Sequence, residues 1–224
     1  MKLHKQAFTL IELIAILAVI VILAAMVLPE SGGKNSARRI ACINNLRFTS
    51  VGFRTWAGNH NDKYPFEVSV TNGGTLEIAA TSNAWKTFQV MSNELNSPRT
   101  LFCPADSSRD RYATNFGDDL KDKISYFIGL DATAGTTNSF LSGDENFLLN
   151  NSPVTNGLVN IASNSSLAWD TSRHVSMSQD WFWKKKYAKG NILLGDGSVM
   201  ALSTITLPGW LHKTGFATNR IVIP

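Results

Sequence analysis

Charge is scarce in this chain. Of its 224 residues, 17% are Asp, Glu, Lys or Arg, and the net charge is +4. A balance that small does not by itself argue for a nucleic-acid partner. Cysteine is scarcer still. Cys42 and Cys103 are the two in the chain, and neither belongs to a Cys-x-x-Cys pair, so a zinc or thioredoxin-type site has no local support. They allow one disulfide if the mature domain lies outside the cytosol, and two buried thiols if it does not. The chain has no Gly-x-Gly-x-x-Gly, no P-loop, no His-Glu-x-x-His and no Gly-x-Ser-x-Gly. Its four histidines, His4, His60, His174 and His212, are scattered. Nothing sets a nucleophile beside a base, and the residues read as those of a non-enzyme.

What is abundant stands at the start. From Phe8 to Leu28 the 21 residues are apolar apart from Thr9 and Glu12. As a helix this run spans about 31 Å, one hydrocarbon core. A short leader with Lys2 and Lys5 precedes it, as in a secretory signal, but the run is long for one and no Ala-x-Ala site follows. An acid in such a run costs free energy and calls for a partner. Lys34, Arg38 and Arg39 follow the run, so positive charge flanks it on both sides and gives no orientation.

The stretch "KQAFTLIELIAILAVIVILAAMVLP" resembles the N-terminal processing and methylation segment of type IV pilins and type II secretion pseudopilins. The resemblance implies cleavage between Ala7 and Phe8, where the family usually has glycine before the cut. It implies methylation of the new amine and pairing of Glu12 with the amine of a neighbouring subunit. Pro29 falls where many members carry a helix-kinking proline. The implied organisation is a leader over 1–7, a transmembrane and filament-core helix over 8–29 and an extracytoplasmic domain over 30–224. The implied partners are the bacterial inner membrane, a prepilin peptidase and like subunits, with the C-terminal domain periplasmic.

Beyond Pro29, Gly32 and Gly33 interrupt the helical pattern, which returns over about 36–57 with an apolar stripe of Ile40, Ile43, Leu46, Val51, Phe53 and Trp56. "SNAWKTFQVMSNEL" predicts a short helix capped by Ser82 or Asn83. "ISYFIGL", "GLVNIA" and "SLAWD" predict strands, and "NILLGDGSVMAL" a hairpin turning on Gly195-Asp196-Gly197. The region 131–157 reads as long surface loops. The fold class is α+β, with a long N-terminal helix packed on a small antiparallel sheet.

Weaker features complete the reading. "ARRIACINNLRFTSVGFRTWAGNHNDKYP", "MSNELNSPRTLFCPADSS" and "GNILLGDGSV" resemble planctomycete and verrucomicrobial pilin-like proteins, many of which carry a C-terminal His…Asp-Gly motif. Here His174, Asp196 and Gly197 supply it, at a longer spacing and with an insertion over 175–189. Asp144 and Glu145 in "SGDEN" offer oxygen ligands for calcium, although without a full EF-hand spacing a solvated acidic turn is the favoured reading. "WFWKKKYAK" sets aromatics beside lysines, as in single-strand binders. With the net charge falling to +2 once Lys2 and Lys5 leave, nucleic acid is the less favoured partner. The expectation is a pilin-like structural subunit, with a DNA-binding minor pilin and a membrane-anchored enzyme as alternatives.

Overall fold

The computed structural model describes residues 9–27, 31–81, 83–154, 156–177 and 186–224. Contacts divide the chain into an N-terminal unit ending at Lys34 and a larger unit, Asn35–Pro224.

The N-terminal unit holds helix α1, Leu10–Val27. Leu, Ile, Ala and Val fill it, and Glu12 in the first turn is its one charge. Leucine and alanine favour helix intrinsically, and the β-branched residues are tolerated where every neighbour is apolar. Side chains from Leu10 to Leu23 are exposed around the whole circumference, Leu10 at 76%. At 18 residues, α1 reaches about 27 Å. Among the described residues no helix is long and apolar enough to cross a membrane. Both ends of the apolar run, Phe8 and Leu28, lie outside the described residues, as does Pro29.

The larger unit opens within α2, Ser31–Gly58, which runs through Gly32 and Gly33 as helix rather than starting near Ser36. Two glycines cost about 1 kcal/mol each, and a helix this long absorbs that. Its buried face is Cys42, Leu46, Thr49, Ser50, Phe53, Trp56 and Ala57, spaced by three and four. The expected stripe is therefore corrected: Ile40 and Val51 face solvent at 53% and 59%, while small polar residues take the inner positions. Small residues let the helix come close. A Cβ on Gly52 would stand 2.7 Å from Leu95 Cδ2.

Two short helices follow, α3 (Ala84–Val90) and α4 (Ser92–Leu95), in the segment predicted to be helical. Asn83 precedes α3 without a capping side-chain bond, and Ser82 lies outside the described residues. The strands are β1 (Tyr126–Gly129), β2 (Phe140–Asp144), β3 (Phe147–Leu149), β4 (Ser152–Pro153), β5 (Gly157–Ala162), β6 (Leu167–Trp169), β7 (His174–Met177), β8 (Lys186–Leu194), β9 (Val199–Ser203) and β10 (Thr218–Ile223). Helix α5, Leu207–Lys213, lies between the last two. All pairings are antiparallel. One sheet has seven strands in the order β5-β10-β1-β2-β8-β7, with β9 also on β8. The other has three, β4-β3-β6.

The α+β class holds, but the sheet is not small. Period-two alternation shows why it is buried on both faces. Tyr126, Ile128, Leu141, Leu193 and Val222 point into a core shared with α2, α3 and the loops around Leu101 and Cys103. Phe127, Phe140, Ile192, Leu194, Ile221 and Ile223 point the other way, into a second core with the three-stranded sheet and α5. The region 131–157, expected as surface loops, contains β2, whose five residues are all buried. Its Ser142, Gly143 and Asp144 look like loop residues in the sequence. They are tolerated inside because Ser142 Oγ donates to the Phe127 carbonyl at 2.7 Å and Asp144 Oδ2 accepts from Asn191.

Candidate functional site

Of the N-terminal motif, Ala7, Phe8 and Pro29 lie outside the described residues. Glu12 is described, and its carboxylate has a local role. Thr9 donates to Glu12 Oε2 twice, from its amide at 2.8 Å and from Oγ1 at 2.7 Å. The Glu12 amide donates back to Thr9 Oγ1 at 3.4 Å. This is a capping box: side chains satisfy helix-start N–H groups that have no partner within the helix. The signal was present in the sequence as Thr9-x-x-Glu12.

The larger unit carries a second constellation where three strands meet. β9 runs along one edge of β8. β2 and β7 share the other edge: β2 pairs with Ile192–Leu194, and β7 with Lys186–Lys189. Gly190 and Asn191 thus have no ladder partner on that side. Asp144, the last residue of β2, fills the gap. Its Oδ2 accepts from the Asn191 amide at 2.7 Å and from Asn191 Nδ2 at 2.9 Å. His174, the first residue of β7, brings Nε2 to 3.3 Å from the same oxygen. Asp144, Asn191 and His174 are all buried. Asp144 Oδ1, His174 Nδ1 and Asn191 Oδ1 have no hydrogen-bond partner among the described residues.

The disulfide reaches the same place. Cys42 on α2 and Cys103, just after the 3-10 turn Pro98–Leu101, are bridged with Cα atoms 4.9 Å apart. Cys103 Sγ lies 3.5 Å from His174 Nε2. Neighbouring bonds hold both partners. Asn45 Nδ2 donates to the Phe102 carbonyl at 2.7 Å, and the Tyr126 hydroxyl donates to the Cys42 carbonyl at 3.3 Å. Burial pushes the Tyr126 phenol well above its ordinary value, and the Asp144 carboxylate pushes it the same way, against Arg173.

Beside this lies an ion network of two arginines and two acids. Arg173 Nη2 contacts Asp106 Oδ2 at 2.8 Å and Glu145 Oε1 at 2.7 Å, while Nη1 donates to the Ser125 carbonyl at 2.7 Å. Arg109 pairs with both acids as well. Burial is the largest influence on each acid and raises both. For Asp106, Arg173, the Ser108 and Ser125 hydroxyls and Arg109 together outweigh it, so its carboxyl ends below the usual range. For Glu145 burial wins over Arg173 and Arg109, and its carboxyl ends above. Glu145 is engaged by guanidinium groups and Asp144 by Asn191 and His174. The two suggested calcium ligands thus serve different partners instead of converging.

Asp196 and Gly197 do not meet His174. They form the β8–β9 turn, in which Asp196 Oδ1 accepts from the Ser198 amide at 2.8 Å and Gly197 adopts φ 88°. The turn is fastened to the larger unit from two sides. Ser50 Oγ on α2 donates to the Gly197 carbonyl at 3.0 Å, and the Tyr64 hydroxyl donates to the Gly195 carbonyl at 2.8 Å. Burial above all, with Glu67 adding to it, pushes the Tyr64 phenol up to about 12. The "WFWKKKYAK" stretch lies outside the described residues up to Lys185. Asn191, Asp106 and Arg173 had no sequence signal as site residues, since each is defined by partners distant in the chain.

Comparison of the chain with protein-family models, with curated proteins and with solved structures returns no match.

Proposed function

We propose that the chain is a pilin-like filament subunit, held in the inner membrane by its apolar N-terminal segment before assembly and built into a filament through it. One observation carries the reading. α1 is apolar on every side and exposed on every side, with a single acid in its first turn. A helix of this kind finds its burial in lipid or against copies of itself. The full run Phe8–Leu28 has the length of a membrane span, with its ends beyond the described residues.

Two further features support it. The Cys42–Cys103 bridge suits a domain in an oxidising compartment, as a periplasmic one is. Ile40, Phe48 and Val51 stay exposed on α2, at 53%, 63% and 59%, which gives the larger unit apolar surface for packing against neighbours. On this reading cleavage before Phe8 creates an amine next to Thr9. Both Thr9 donors go to Glu12 Oε2, so Oε1 is the oxygen that would meet a neighbouring subunit's amine.

The test separates the two jobs of Glu12. Glutamine can stand in a capping box but carries no charge. Glu12→Gln and Glu12→Ala are expressed beside wild type, and membrane fractions and sheared filaments are compared. Both variants should insert, since each makes the segment less costly in lipid, and both should lose filament incorporation. Assembly of Glu12→Gln at wild-type level would reduce Glu12 to a helix cap and remove the charge-pairing reading.

A further inference from the structure

We propose that Cys42, Cys103 and His174 form, in the dithiol state of the chain, a binding site for a divalent ion of the zinc class, and that metal and disulfide are alternative occupants of one place. The three residues come from α2, the segment after Leu101 and the start of β7, so no local spacing announces them. In the fold one ligand atom from each lies within 4.8 Å of the other two, and all three residues are buried. Zinc–sulfur bonds of about 2.3 Å and zinc–nitrogen bonds of about 2.0–2.1 Å at tetrahedral angles put sulfur and nitrogen about 3.5 Å apart. Cys103 Sγ and His174 Nε2 already stand at 3.5 Å. Asp144 Oδ2 lies 3.3 Å from Nε2 but already accepts two hydrogen bonds from Asn191, so the fourth position falls to a water or an added ligand. The two sulfurs must part, to about 3.8 Å.

A disulfide alone accounts for the sulfurs. It does not account for a buried imidazole nitrogen meeting them at 3.5 Å. Two thiolates and one neutral imidazole are a donor set suited to zinc, and the sulfur donors select against calcium or magnesium. The exchange balances. A dithiol reductant supplies two electrons and two protons to the Cys42–Cys103 bond and leaves as its own disulfide. Metal binding then displaces the two thiol protons, drawing the chain toward the reduced form.

The full-length chain, extracted in detergent and reduced without oxygen by a phosphine, is titrated with Co²⁺. One equivalent should give the visible absorption of tetrahedral cobalt with a thiolate charge-transfer band, bleached by Zn²⁺. The unreduced chain should give neither. His174→Asn, which keeps a polar side chain in the buried gap, should weaken cobalt binding at least tenfold. As a second readout, one equivalent of Zn²⁺ should slow maleimide labelling of the two thiols at least tenfold in wild type and much less in His174→Asn. No cobalt uptake by the reduced chain would overturn the proposal. So would equal uptake or equal thiol protection in wild type and variant, which would reduce the metal to a ligand of two loose thiols.

Discussion

Removing the Cys42–Cys103 bridge should be among the most costly changes to the larger unit, and its size can be worked out in advance. The bridge joins residues 61 apart. In the loop-closure account, releasing a loop of that length lets the unfolded chain recover entropy worth about 4 kcal/mol at 25 °C. Against a total of roughly 5–15 kcal/mol for a domain, that is a large share. The perturbation is the double variant Cys42→Ala/Cys103→Ala, unfolded in urea with chelator present and followed by tryptophan fluorescence. Trp56 and Trp85 sit in the core that contains both cysteines. With a urea slope of about 2 kcal/mol per molar, the midpoint should fall by about 2 M. Wild type reduced by a phosphine should fall similarly, which separates the lost cross-link from the atoms removed. A fall under about 0.5 M in both would refute the reasoning, because the bridge would then not constrain the unfolded chain.

Other expectations follow from the buried polar groups. Arg173→Met should cost about 3 kcal/mol in the same urea assay, since Asp106 and Glu145 lose one of two cations; a cost below 1 kcal/mol would mean Arg109 alone suffices. The network also sets a pH signature. Glu145 is raised above its ordinary 4.5, so its contribution is full below that value and is lost as pH climbs through the folded pKa. Asp106 is lowered below its ordinary 3.8, so its contribution is full above that value and is lost as pH falls through the folded pKa. Acidifying from neutral should therefore first gain stability from Glu145 and then lose it from Asp106, and Glu145→Gln should abolish the first phase alone. Tyr64→Phe removes the bond to the Gly195 carbonyl and should cost about 1 kcal/mol. An ultraviolet titration should show one fewer late-ionising phenol in that variant, near the expected value of about 12.

Much of the architecture was legible because period and turn chemistry are local. β1, β5, β6 and the β8–β9 hairpin all fall in segments whose alternation and Asp-Gly turn could be read directly. β2 was not legible. "FLSGD" carries the polar residues of a loop, and only Asn191 and His174, 47 and 30 positions away, make Asp144 acceptable in a core. The face of α2 was half legible for a related reason. Apolar residues mark a buried stripe, but Thr49, Ser50 and Gly52 are inside because the helix lies close to its neighbours, leaving Ile40 and Val51 outside. The N-terminal motif was legible as a pattern, and its Thr9–Glu12 cap is the part the structure adds. The cluster around His174 was invisible in the sequence, since its members come from α2, the Cys103 segment, β2, β7 and β8.

The central claim is that the N-terminal segment is processed and used for assembly. It is tested most directly by the intact mass of the protein extracted from membranes of a host that has a prepilin peptidase. The account predicts a chain that begins at Phe8, having lost Met1–Ala7 and gained one methyl group. A chain that still begins at Met1, or one that begins near Met26 as after signal-peptide removal, would contradict it.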